Sequence, residues 1–169
     1  MKTLSLLLLT LFVSHARAAA PAEPLNFHEV ERGIYRGASP GPAGIFFLKN
    51  LGVKTILDLD NDSTAAGIEK NAAAQEGLKW IALPMSGFWT PKTATVNAAL
   101  QVMANPALRP LYIHCKHGQD RTGLVVGLYR VEDQHWQPGH AYEEMKALGF
   151  HPMLVFLNHF FEGRTGFED

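Results

Sequence analysis

Between Pro110 and Arg130 the chain passes through three kinds of local chemistry, and few folds accommodate all three in that order. Pro110-Leu-Tyr-Ile-His114 is apolar and β-branched enough to form a strand. Thr122-Gly-Leu-Val-Val-Gly-Leu-Tyr-Arg130 spaces its apolar residues as a helix does. Between them lie Cys115, the only cysteine of the chain, then Lys116, His117, Gly118, Gln119, Asp120 and Arg121. So short a join must be a tight, glycine-containing loop that runs straight into a helix N-terminus. Such a loop cradles anions, because its N–H groups and the helix dipole supply partial positive charge. A cysteine at the mouth of that cradle is held as the thiolate, a nucleophile. Arg121 can grip two phosphate oxygens with its planar fork. The pattern predicts a phosphate-transfer site built around sulfur.

The rest of the chain supplies the frame. Residues 27–35 should be extended, and Arg36-Gly-Ala-Ser-Pro40 has turn composition. A helix is expected over 42–51 with Gly52 as its stop, then a strand over 53–59. Asp60-Asn-Asp-Ser63 can cap a helix over 64–76 that Gly77 closes. A strand over 78–85 follows, and Thr90-Pro91 should open a helix to about Ala104, with proline at its favoured first position. Three helices are expected after the loop, over about 121–134, 138–148 and 153–161. Strands alternating with helices predict the α/β class, a central, mostly parallel sheet flanked by helices on both faces. Ligands of such sheets bind at the carboxyl ends of the strands, where the cysteine loop sits.

The loop resembles the phosphate-binding loop of the protein tyrosine phosphatase superfamily, His-Cys-x5-Arg followed by Ser or Thr, with His114, Cys115, Gly118, Arg121 and Thr122 at its positions. The layout of the chain is similar to the phytase-like and atypical dual-specificity branches, whose fold it is then expected to share. That resemblance implies a two-step route. Cys115 attacks phosphorus in line, Arg121 steadies the equatorial oxygens, and water hydrolyses the phosphocysteine. Thr122 would polarise the departing sulfur, and His114 would orient the loop from behind. Residues 116–121 would bind the phosphate.

The resemblance also exposes a gap. Most of the family carries an acidic Asp some thirty residues before the cysteine, but Pro84-Met-Ser-Gly-Phe-Trp-Thr-Pro91 holds no carboxylate. Matching Trp89 to the tryptophan of phytase-like relatives puts Ser86, a very poor proton donor, in the acid's place. Asp120 precedes Arg121 as in myotubularin-type lipid phosphatases, where that Asp is assigned the acid role. Asp60 and Asp62, just past a strand end, are the alternatives; helix capping is their competing use. Lys116 and His117 put cations on the rim, which suits a polyphosphorylated ring. Lys92 and Arg36 read as surface residues that could add more. Phe88 and Trp89 read equally well as a binding wall or as core.

Composition narrows the setting. Met1-Lys2-Thr3, the apolar run Leu4 to Val13 and Ala16-Arg17-Ala18 read as a secretory signal peptide over residues 1–18, too short for a comfortable membrane span. A short disordered leader over 19–26 and one domain over 27–169 are expected. Loss of Lys2 and Arg17 would leave 13 basic against 16 acidic residues, a net charge of −3. That balance argues against a nucleic-acid binder and against polybasic membrane docking. With one cysteine no internal disulfide can form, and an exported thiol makes sense if it is the reagent. Neither metal nor cofactor is expected, since a thiolate mechanism needs none and the histidines are scattered. The reading is therefore a monomeric periplasmic or secreted phosphatase without a stable membrane anchor, acting on a small phosphorylated substrate such as inositol hexakisphosphate. Its alternatives are a tyrosine, dual-specificity or phosphoinositide phosphatase and, in another class, a phosphate-binding pseudophosphatase.

Overall fold

The computed structural model describes residues 22–168. The signal-peptide expectation lies outside them. Five strands form one sheet in the order β1-β2-β5-β3-β4: β1 (His28–Glu31), β2 (Ile34–Ala38), β3 (Thr55–Asp58), β4 (Lys79–Ala82) and β5 (Leu111–Cys115). Only β1 runs antiparallel, to β2; the other pairings are parallel, as the alternation of elements predicts.

Six helices cover the sheet: α1 (Gly41–Asn50), α2 (Ser63–Gln75), α3 (Thr93–Ala104), α4 (Asp120–Glu132), α5 (Pro138–Ala147) and α6 (Val155–Thr165). Strand alternation sends side chains to two cores. Ile56 and Tyr112 pack with Ile45 and Leu48 of α1 and Ala73 of α2. Leu57, Ile113 and Cys115 pack with α3 to α6 on the other face. Helix α4 is the centre of that second layer and is buried from Arg121 through Arg130. Among the described residues no helix is long and apolar enough to cross a membrane.

Two local expectations need correcting. Arg36-Gly37-Ala38, read as a turn, is the end of β2, in parallel register with Ile113, His114 and Cys115. The true turn comes earlier, at Arg32-Gly33, where Gly33 has φ +83°. Pairing with a distant strand overrode local turn composition. Helix α3 opens at Thr93 rather than at Thr90-Pro91, because Lys92 is still extended, with φ −69° and ψ 125°. The leader expected to end at residue 26 is packed at its end. The Leu25 carbonyl accepts the Ala38 N–H at 2.8 Å, and Asn26 is bonded to the cysteine loop.

Candidate active site

The loop after β5 is held from behind by other strands. Gly118 is left-handed at φ +69°, and a side chain there would overlap the backbone of Gly37 and Ala38. Gly37 in turn lies against the Tyr112 hydroxyl, with no room for a Cβ. Glycine is required at both positions for this close approach. The Gly118 carbonyl accepts two donors from the back, Arg36 Nη2 at 2.7 Å and Asn26 Nδ2 at 3.0 Å. The Lys116 carbonyl accepts the Ser39 N–H at 3.3 Å. With these carbonyls committed backward, the loop is fixed before any ligand arrives.

The front of the loop faces a cavity of about 450 Å³, lined by Cys115, Lys116, His117, Asp120 and Arg121 together with Asp60, Asn61, Asp62, Gly87, Phe88 and Leu154. Every charged or nucleophilic residue expected at the site, apart from Thr122 behind it, thus reaches one space at the carboxyl end of the sheet, beside the N-terminus of α4. Arg121 is engaged there: Nη1 donates to Asp60 at 2.9 Å, to Asn61 Oδ1 at 2.8 Å and to the Met85 carbonyl at 3.3 Å. The Thr122 hydroxyl is fully buried and finds no hydrogen-bond partner.

The candidate acids differ sharply. Burial works to raise the Asp60 carboxyl, but the Arg121 guanidinium and the N–H groups of Asn61 and Asp62 outweigh it and hold Asp60 below the usual range. Asp62 caps α2 by accepting the N–H groups of Thr64 and Ala65 at 3.0 and 3.1 Å. Asp120 accepts the His151 N–H at 2.9 Å and lies 3.0 Å from its Nδ1. The stretch 84–91 brings no carboxylate, and the Ser86 hydroxyl oxygen accepts the Phe88 N–H at 3.1 Å.

Behind the loop lies a buried polar layer that the sequence shows only through His114. Its ring is packed between Tyr112 and Trp80, 3.8 Å from Asp58 on one side and 3.8 Å from Glu69 on the other. Those distances are too long for hydrogen bonds. Burial pushes His114 down to about 4, only partly opposed by the Cys115 backbone, so the ring is neutral at pH 7. Burial likewise raises Asp58 to about 7, and it raises Glu69 against the pull of Ser39 and Gly41. Glu69 accepts the Ser39 hydroxyl and the Gly41 N–H, tying α2 to the start of α1.

The structure overturns one rim assignment and decides the others. Arg36 is not a surface residue but 1% exposed, because β2 buries it. Phe88 and Trp89 are 75% and 67% exposed, so neither is core; Phe88 lines the cavity and Trp89 rests on Phe156. Lys92 is exposed and outside the cavity lining. Asn26, Asn61, Glu69 and His151 were missed. Each contacts the site from a distant stretch, and only the Asn61 loop, just past a strand end, carried any sequence signal.

The model of the tyrosine phosphatase family matches residues 21–162. The chain belongs to that family. It is 30% identical over 137 residues to the dual specificity protein phosphatase TpbA of Pseudomonas aeruginosa, covering 81% of this chain and 61% of TpbA. It is 36% identical over 121 residues to the inositol diphosphatase DSP3 of Arabidopsis thaliana, covering 68% and 58%. The crystal structure of the catalytic core of the Saccharomyces cerevisiae PP-IP phosphatase SIW14 superposes with a TM-score of 0.74 at 28% identity, over 85% of this chain and 87% of that one. The family member described here spans about three fifths of the length of these sequence relatives.

Proposed function

We propose that this protein is a cysteine-dependent phosphatase acting on inositol polyphosphates. The observation that carries the reading is the convergence of Cys115, Arg121, Lys116 and His117 on one cavity at a loop braced from behind. The Cys115 thiolate attacks phosphorus in line as the bond to the leaving oxygen breaks. Arg121 turns from Asp60 and Asn61 onto the equatorial oxygens, exchanging one set of acceptors for another. Water then cleaves the phosphocysteine. Thr122, whose buried hydroxyl has no other partner, is available to the departing sulfur.

Asp120 is the proposed proton donor, with His151 as its partner. Asp60 is held ionised by Arg121, and Asp62 is committed to capping α2. Lys116 and His117 supply rim cations for further phosphates. DSP3 and SIW14, named for inositol diphosphate and PP-IP substrates, support an inositol phosphate substrate. A diphosphate group would also ease the demand for a strong acid, because phosphate leaves more readily than an alkoxide. TpbA supports a second reading, dual-specificity protein phosphatase action, for which exposed Phe88 offers an aromatic wall. Export is proposed from the pattern of residues 1–18, giving a periplasmic or secreted monomer, and N-terminal sequencing of protein recovered outside the cytoplasm tests it.

Phosphate release from inositol hexakisphosphate, a diphosphoinositol phosphate and a phosphotyrosine peptide, with Cys115→Ser as blank, tests the substrate. Preference for either inositol phosphate is expected. Turnover of the peptide alone moves the protein to the second reading. Oxyanion binding without turnover of any substrate makes it a pseudophosphatase.

A further inference from the structure

Arg121 apart, two arginines are buried among the described residues, Arg36 and Arg130, and they are partnered very differently. Arg130 engages all three guanidinium nitrogens: Nε and Nη2 clasp Glu144 at 2.8 and 2.6 Å, Nη1 donates to Gln134 at 2.7 Å, and the group lies 4.3 Å from the centre of the Trp136 ring. Arg36 is more deeply buried, yet only Nη2 is used, on the Gly118 carbonyl at 2.7 Å and more distantly on the Gln119 carbonyl at 3.5 Å. Nε and Nη1 are buried with no partner. An uncompensated buried cation is expensive, and nothing in the fold requires one here.

The register places Arg36 on the same face of the sheet as Cys115. Ala38 sits opposite Cys115 and Arg36 opposite Ile113, so residues 36 and 38 of β2 share a face with residues 113 and 115 of β5. Burial lowers the Arg36 guanidinium to about 10, against the charge of Glu144 and of an ionised Cys115, with Arg130 opposing them. It therefore stays positive at neutral pH. Glu144 is already clasped by Arg130, which leaves the thiolate as the uncommitted negative charge.

We propose that Arg36 is a positioning residue with two tasks: it holds the Gly118 carbonyl turned away from the cavity, and it is the rear counter-charge of the Cys115 thiolate. This rests on Cys115 being the nucleophile. Arg121 thus meets the phosphate from the front while Arg36 steadies the sulfur from behind.

Two substitutions separate the tasks. Arg36→Gln keeps an N–H donor for Gly118 but loses the charge; Arg36→Lys keeps the charge on a point donor. The readouts are tungstate binding and the rate of Cys115 alkylation by iodoacetamide at pH 6. The other charged groups around the sulfur (Lys116, His117, Asp60, Asp120 and Arg121) are the same in both variants. Arg36→Gln should bind tungstate, an oxyanion that reports on the loop's shape, within about threefold of the parent, yet alkylate about tenfold or more slowly, the change in thiolate fraction that one pKa unit brings. Arg36→Lys should restore alkylation to within about threefold. Parental alkylation in Arg36→Gln, or equal slowing in Arg36→Lys, overturns the proposal. A parent protein whose Cys115 is inert at pH 6 would instead overturn the nucleophile reading. If neither variant folds, NMR of the parent decides. The Arg36 Nε–H resonance should move with pH as Cys115 ionises and stay still in Cys115→Ser; a resonance indifferent to the thiol rejects the counter-charge.

Discussion

The mouth and the floor of the cysteine loop handle polar groups in opposite ways. At the mouth, Arg121 has three acceptors on one nitrogen, and Asp120 has its His151 contacts. A ligand can replace acceptors of that kind. On the floor, Arg36, His114, Asp58 and Thr122 all bury polar atoms without hydrogen-bond partners. Such atoms cost stability, and buried ones are ordinarily paired. A fold selected only to persist would have filled this layer with apolar side chains. The mouth is arranged to exchange partners, the floor to hold charge and shape at a fixed place.

The largest effects should come from the mouth. Cys115→Ser is expected to lower turnover by on the order of 10⁴ or more. Arg121→Lys, which loses the fork, should lower kcat/KM by about 10²–10³ while folding normally. A lysine that works as well as Arg121 would mean that charge alone, not geometry, matters at the mouth.

Next comes the seam between floor and loop. Gly118→Ala forces a side chain into Gly37 at a left-handed φ, and should cost roughly 2–4 kcal/mol in urea unfolding. Gly123→Ala, one turn into α4, meets Phe150 at 3.6 Å and Arg36 Nη2 at 3.8 Å, both ordinary contact distances. There alanine should be neutral or gain up to about 1 kcal/mol from helix propensity. Equal costs at the two glycines would show that the loop is not braced against β2. At the acid, Asp120→Asn should slow release from an alkyl phosphate by about 10²-fold but barely affect p-nitrophenyl phosphate, whose leaving group needs no proton. Equal losses on both substrates would make Asp120 a structural partner of His151.

How much of this was legible follows the same division. The mouth is local in sequence: strand, Cys115, Gly118, Arg121 and α4 lie within one stretch, and Asp60 and Asp62 follow a recognisable strand end. The mostly parallel sheet and the helices on both faces follow from alternation; the strand order does not. The floor is assembled from afar. Arg36 lies in a segment whose Gly and Pro spell a turn, and only its pairing with β5 turns it inward. Glu69 sits on a helix whose neighbours are mostly exposed, and its partners Ser39 and Gly41 lie some thirty residues earlier. Asn26 reaches Gly118 across 92 residues, and at the mouth His151 reaches Asp120 across 31. Local propensity has no access to such contacts.

The subtlest test of the floor uses pH rather than activity. Burial raises Asp58 from its ordinary 3.8 to about 7, so between those values the native chain keeps a proton that the unfolded chain has released. Its contribution to stability is complete below about pH 4 and falls as pH rises to 7. Burial moves His114 the other way, from 6.5 to about 4, so the unfolded chain takes up a proton that the native chain refuses. That contribution rises over nearly the same interval, and in the parent protein the two slopes oppose each other. Asp58→Asn deletes one of them. The Asp60 N–H, 2.7 Å from Oδ1, keeps an acceptor in the variant, and the extra buried amide adds a cost that does not vary with pH. Urea midpoints should therefore shift in favour of Asp58→Asn, relative to the parent, as pH rises from 4.5 to 6.5. A difference that stays flat would mean Asp58 is already ionised at pH 4.5. The floor would then carry a permanent negative charge beside His114, and the contrast with the mouth would lose its electrostatic basis.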